Sequence, residues 1–141
     1  MKHLFSFLFI LVLSSCSQTK NIARTSITDN ESFVITEVSG DKTYGLTSKN
    51  PVEVGGNSGN SGPSNERKYL NMLAGPNGEK ISYQRAGSCC PVKSKKGFMG
   101  YAMLDNYRIT WEGTTDTVSI YINMYDKGVL KAPIGFAIKK D

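Results

Sequence analysis

From Val118 onward the chain alternates. Val118, Ile120, Ile122 and Met124 are apolar, and Thr117, Ser119, Tyr121, Asn123 and Tyr125 stand between them. A strict period of two over that length predicts a strand with one buried face. Tyr107, Ile109 and Trp111 share one face of the strand before it, with Arg108 and Thr110 opposite, and Glu112 to Asp116 turns the chain between the two. Asp126-Lys127-Gly128 is a further turn, and Pro133 to Ile138 predicts a last short strand. Upstream, Phe98 to Leu104 reads as a strand containing Gly100, and Lys80 to Arg85 alternates as another. Gly87-Ser88-Cys89-Cys90-Pro91 reads as an interruption, followed by a basic loop of Lys93, Lys95 and Lys96 that ends at Gly97. Phe33 to Val38 is β-branched and predicts a first strand, with shorter extended pieces at Tyr44–Thr47 and Val52–Val54 around Asn50-Pro51. The period changes once. Gly55 to Ser64 is a Gly/Asn/Ser loop, Pro63 suits a first helical position, and Tyr69, Leu70 and Leu73 fall at helical spacing before Gly75-Pro76. These elements predict an α+β fold, a mostly antiparallel β-sheet covered by one helix at about 63–74.

The start of the chain has a different pattern. Met1, Lys2 and His3 precede an apolar run from Leu4 to Leu13, broken only at Ser6. That is the pattern of a secretory signal peptide, and it is too short for a permanent membrane span. Leu13-Ser14-Ser15-Cys16 resembles the lipobox of bacterial lipoproteins. The resemblance implies cleavage before Cys16 and acylation of its sulfur. The expected organisation is then a signal peptide at 1–15, a lipidated Cys16 with a polar tether to residue 31, and one β-rich domain at 32–141. About 15 residues of such coil reach roughly 20 Å, enough to clear lipid headgroups. Ser17 after the cysteine, with no acidic cluster following, suits an outer-membrane lipoprotein facing the periplasm. The membrane is therefore the first expected partner, through the lipid anchor.

Composition sharpens this. The chain has 17 Lys and Arg against 12 Asp and Glu, net +5, and removal of Lys2 would leave +4. The only histidine is His3, inside the expected leader. Its loss removes Ser-His-Asp and Cys-His catalysis and His-ligated zinc or iron. The scattered positive charge favours anionic surfaces in general. No nucleic-acid motif is present, and neither phosphate-loop signature occurs in the Gly55–Ser64 loop, so no cofactor is expected.

Cys89 and Cys90 are the sharpest chemical feature, an adjacent pair in an oxidising compartment. Ordinary disulfides want Cα atoms about 4.4–6.8 Å apart, whereas neighbours across a trans peptide sit about 3.8 Å apart. A vicinal bridge is strained and reducible. The alternatives are two inert, partly buried thiols and a redox or Cu(I) site to which Met99 and Met103 add thioethers. Lys93, Lys95 and Lys96 are candidates for contact with lipid A phosphates or another anionic envelope polymer, against the bland reading of a solvated loop. Tyr121, Asn123 and Tyr125 form a candidate face for a sugar or a partner protein, against an amphipathic solvent face. Asp105, Glu112 and Asp126 are read as lying at strand ends or turns, with no spacing that brings two carboxylates together for glycoside chemistry. Trp111 is expected in the core.

Several phrases together carry a wider resemblance: Tyr44-Gly45-Leu46-Thr47, Asn50-Pro51-Val52, Gly62-Pro63-Ser64-Asn65-Glu66-Arg67, Gly87-Ser88-Cys89-Cys90-Pro91 and Tyr121-Ile122-Asn123-Met124-Tyr125-Asp126. They resemble a family of small lipoproteins from Gram-negative bacteria, over roughly residues 43–136. Some members carry the name 2-dehydro-3-deoxyphosphooctonate aldolase. The enzyme properly so named is a (β/α)₈ barrel, an architecture of about 250 residues and eight helices, and one helix does not make one. The resemblance therefore implies an envelope lipoprotein. The expected function is a membrane-anchored, non-catalytic binding or assembly module, with an envelope protein or glycan as further partner. The alternative is a redox or soft-metal protein working through Cys89 and Cys90.

Overall fold

The computed structural model describes residues 33–56 and 59–140. The leader, Cys16 and the tether lie outside the described residues. Residues 32–141 form one compact unit, and its apolar core runs from Ile35 to Phe136 within that unit. The chain beyond residue 31 thus carries its own core.

In chain order the elements are β1 (Val52–Glu53), α1 (Gly62–Asn71), β2 (Leu73–Ala74), β3 (Ile81–Phe98), β4 (Tyr101–Trp111), β5 (Val118–Asn123) and β6 (Ala137–Ile138). The main sheet has the order β1-β5-β4-β3, and β2 and β6 make a separate pair. All of these strand pairings are antiparallel except β1 with β5. The fold is α+β and mostly antiparallel β, as the alternation predicts. Tyr107, Ile109, Ile120 and Ile122 are buried and Arg108 and Thr110 exposed, so the expected faces are the observed ones. α1 lays Glu66, Tyr69 and Leu70 onto the core, positions three and four apart on one helical face. Pro63 stands in its first turn. Trp111 is half-buried and packs edge-on against Phe136, with ring centroids 5.3 Å apart.

Several predicted elements differ. Phe33–Val38 forms no strand. Among the described residues its only ladder contact is a bridge from Val38 to Ala132, because no neighbouring strand lies alongside the rest. Tyr44–Thr47 is a turn, fixed by Gly45 at φ +71° and by the Asn50 amide donating to Asp41 Oδ2 at 2.9 Å. Gly87–Pro91 does not interrupt its strand. β3 passes straight through, leaving Ala86 and Cys90 out of the ladder at two bulges. A bulge of this kind lets a strand continue with one residue unpaired. Phe98–Leu104 is two pieces, since β3 and β4 are joined by a two-residue turn at Met99-Gly100. The basic stretch is a third bulge. Lys93 and Phe98 both pair with Tyr101, so residues 94–97 leave the ladder between them.

The β3–β4 hairpin outruns the sheet. β5 pairs with β4 only from Asp105 to Ile109. Tyr101–Leu104 and the β3 residues opposite, from Cys89 to Phe98, therefore form a two-stranded arm. Buried positions on β4 change phase where the arm begins: Ala102 and Leu104 are buried in the arm, Asp105, Tyr107 and Ile109 in the sheet.

Candidate functional site

The base of the arm concentrates the chemistry. Cys89 and Cys90 are joined by a disulfide, with Cα atoms 3.7 Å apart. Both residues are partly exposed on β3, the edge strand. Cys90 is the bulged residue and takes φ +56°, a backbone region that side-chain-bearing residues seldom adopt.

Beside the bridge lies a polar network that runs inward. Ser88 stands opposite Asp105 in the ladder, and its hydroxyl donates to Asp105 Oδ1 at 2.8 Å. Arg85 donates to Asp105 through Nε at 2.6 Å and through a terminal nitrogen at 2.8 Å. The same terminal nitrogen reaches Ser88 Oγ at 2.7 Å. The Arg85 side chain is 48% exposed and that of Asp105 only 3%, so the pair joins solvent to the interior. Deeper still, Glu66 on α1 is 0% exposed, and its Oε2 accepts from the Tyr107 hydroxyl at 2.8 Å. Glu66 Oε1 has no donor facing it. What Glu66 does face is the Asp105 carboxylate.

The electrostatics assign the proton of this carboxyl pair. Burial, and then the Asp105 charge, push Glu66 up to about 7, against the Tyr107 hydrogen bond and the Arg85 charge. Burial would also raise Asp105, but hydrogen bonds from Arg85 and Ser88 and the Arg85 charge hold it below its ordinary value. Two carboxylates at close range do not both ionise readily. Glu66 therefore holds the proton and Asp105 the charge. A protonated Glu66 supplies the hydrogen that Oε1 otherwise lacks. Asp105 is mid-strand and buried, not at a strand end as its sequence context suggests. Glu112 does fall in a turn, and Asp126 lies between β5 and the β-bridge at Lys127.

The second assembly lies along the arm. Lys93, Lys95 and Lys96 line a cleft of about 680 Å³ together with Ser94, Gly100, Tyr101, Glu53, Asp126 and Lys127. Lys93 stands in the ladder opposite Tyr101, and the bulge at 94–97 carries Lys95 and Lys96. Burial acts to raise Asp126, but Ser94, the Asn123 amide and the backbone N–H groups of Lys96 and Lys95 together hold it low. The bulge thus holds the Asp126 carboxylate with its backbone and with Ser94, in the same cleft that the lysines line. Gly97 is required there. A Cβ at that position would run into the Tyr101 carbonyl and the Ala102 nitrogen.

Tyr121 and Tyr125 are half-buried and Asn123 is buried. The Asn123 amide donates to Asp126 at 3.0 Å, and its oxygen accepts the Tyr125 and Asp126 N–H groups. Both of its ends are used in closing the turn. The Gly-rich loop likewise closes on itself, with Ser61 and Gly59 donating to the Gly56 carbonyl. A larger groove of about 900 Å³ lies between the end of α1, β2, β6 and the start of β3. Its Glu79 carboxylate is engaged by Asn77, and none of the residues singled out from the sequence as candidate sites lines it. Among the described residues no three His, Cys, Asp or Glu side chains converge as a metal site.

Sequence reading alone passes over Glu66, Arg85, Ser88 and the hydroxyl of Tyr107. One signal was present. Glu66 stands three and four residues before Tyr69 and Leu70, on the apolar face of the helix, where a carboxyl group must find a partner or a proton. No family model, curated protein or solved structure matches the chain.

Proposed function

We propose that this chain is a cell-envelope lipoprotein, tethered through Cys16 to the outer membrane and facing the periplasm. Its folded unit is a non-catalytic binding module for anionic groups of the envelope. The leader pattern, the lipobox and the resemblance to small Gram-negative lipoproteins support the tether. The observation that carries the binding role is the cleft where β3 gathers Lys93, Lys95 and Lys96 beside Tyr101, an excess of positive charge over the Glu53 and Asp126 carboxylates that share it. Clustered positive charge in a concave site raises the local concentration of anions and makes their binding salt-dependent.

The test uses the chain from Ser17 onward, which contains the compact unit, with lipopolysaccharide and inorganic polyphosphate as probes. Binding should weaken steeply with added salt and fall at least tenfold in the Lys93→Gln/Lys95→Gln/Lys96→Gln variant. Equal binding by the variant would sink the cleft. For the tether, Cys16→Ala should no longer fractionate with outer membrane, and unchanged fractionation would refute the anchor.

A second reading rests on the Cys89–Cys90 bridge, which lies partly exposed on an edge strand with Arg85 and Ser88 near. In that reading an envelope dithiol gives up two electrons and two protons. The bridge opens to two thiols and the dithiol leaves as its own disulfide. Thiol titration with and without reductant separates the two, because only a readily cycled pair supports the redox role.

A further inference from the structure

The tip of the arm carries apolar side chains where hairpin turns ordinarily carry polar ones. Phe98 and Met99 are each 83% exposed, and Tyr101 is 54% exposed. Met99 and Gly100 form the two-residue turn with φ +51° and +82°. Both angles are positive, as in the turn that fits the strand twist, where Asn-Gly and Asp-Gly are favoured. A methionine there is disfavoured locally, and strained backbone of this kind gathers at functional positions. Nothing within the described fold covers these side chains.

The pattern continues along one face of the arm. Lys93 stands opposite Tyr101 and Pro91 opposite Met103, and directly opposed residues share a face. Tyr101, Met103, Pro91 and Lys93 are all exposed. The other face carries Ala102, Leu104 and Ser94, which are buried. The arm is therefore apolar at its end, aromatic and basic along its outer face, and held to the body by its inner face. With that inner face packed down, the part that stands clear of the body is the turn itself, where Phe98 and Met99 are exposed.

We propose that the β3–β4 hairpin is a lipid-inserting finger that docks on an anionic bilayer. Phe98 and Met99 enter the acyl boundary, Tyr101 sits at headgroup level, and Lys93, Lys95 and Lys96 contact lipid phosphates. The charge complementarity selects anionic lipid over a neutral protein groove, because Lys93, Lys95 and Lys96 are on the same arm, within five residues of Phe98. Aromatic and basic side chains at one level beside a small apolar end are the arrangement that interfacial anchoring uses. This rests on the anion-binding reading above and assigns its partner as a membrane surface. The finger needs no lipid on Cys16 to engage, and it would orient a tethered domain with the cleft facing the leaflet.

The test uses the chain from Ser17 onward, so that no acyl chain contributes. It is mixed with phosphatidylcholine vesicles with and without phosphatidylglycerol. Co-sedimentation is expected with the phosphatidylglycerol vesicles and should decline with salt. The Phe98→Ser/Met99→Ser variant should bind these vesicles at least tenfold more weakly while its circular dichroism and thermal midpoint stay those of the parent. The lysine triple variant should lose roughly a hundredfold, from the contribution of each charge near an anionic surface. Phe98→Trp in a Trp111→Phe background should be quenched by lipids brominated on the acyl chain. Unchanged vesicle binding by the Phe98/Met99 variant, or no quenching in the bound state, would overturn insertion. Polyphosphate binding without any vesicle binding would overturn the finger and leave the anion-binding module standing. Loss of both would remove both.

Discussion

Glu66→Gln isolates the buried carboxyl pair. Glu66 is held protonated up to about 7, against 4.5 for an ordinary glutamate. The folded state therefore binds this proton more tightly than the unfolded chain does. Its contribution is fully present below about 4.5 and is lost as the pH rises through about 7. Above that, the native state must hold a second negative charge beside Asp105. Asp105 works in the opposite direction at the acid end. Its carboxyl is held below the ordinary 3.8, so its contribution is present above that value and is lost as the pH falls. Each tenfold change in proton affinity corresponds to about 1.4 kcal/mol, so the span from 4.5 to about 7 represents roughly 3 kcal/mol at alkaline pH. The substituted carboxamide would keep the geometry, with its oxygen accepting from Tyr107 and its nitrogen donating to Asp105. The variant should match the wild type at pH 5 and exceed it at pH 8 by about 2–3 kcal/mol, or roughly 10 °C in thermal midpoint for a unit this size. Scanning calorimetry across pH 4.5 to 8.5 measures it. Parallel profiles for the two proteins would refute the shared proton. A loss above about 1 kcal/mol at pH 5 would refute the hydrogen-bond geometry.

Three further predictions concern other parts of the molecule. Cys89→Ala/Cys90→Ala should cost little stability, because a bridge between neighbours closes almost no loop in the unfolded chain; non-reducing intact mass should show the parent lighter than its reduced form by two hydrogen atoms, and a large drop in the variant's midpoint would contradict this. Gly97→Ala should destabilise the arm by about 1–3 kcal/mol through the contact with the Tyr101 carbonyl, read as faster amide exchange at Ser94–Ala102; exchange like the parent's would show that the bulge adapts. Deleting residues 17–31 should leave the thermal midpoint nearly unchanged, since the core begins at Ile35, and a fall of many degrees would show that the segment packs on the domain.

Where a local pattern was sufficient, the sequence could be read directly. Val118 to Ile122 and Tyr107 to Trp111 place their faces by alternation alone, whereas Asn123, expected on the outward face, is buried in closing the turn with Asp126, and the helix is marked by Pro63, Tyr69 and Leu70. Phe33–Val38 shows the limit of β-propensity, which describes a fit to a pleated neighbour; here only Val38 finds one. Phe98–Leu104 looks continuous because its turn uses Met99 where polar residues usually announce a hairpin. Lys93, Lys95 and Lys96 were legible as a cationic group, but their meeting with Asp126 depends on a bulge that composition does not reveal. The place of Asp105 is hidden from the sequence for a related reason. Its burial depends on Arg85, twenty residues away on the neighbouring strand, and on Glu66 across the helix.

The bulges in β3 have a consequence for the molecule among its own copies. β3 is an 18-residue strand on the edge of the main sheet. A flat edge of that length offers a row of unpaired backbone groups to any similar strand, and stacking of that kind begins aggregation. Here the edge is broken at Ala86, at Cys90 and across residues 94–97. Pro91 has no N–H to offer, and Lys93, Lys95 and Lys96 set like charges against a second copy. The vicinal bridge fixes the middle break covalently. Cys90 could enter the ladder only through a one-residue slip that would turn the buried face of the arm, Ala102 and Leu104, outward, so the break holds and guards the edge against a second copy.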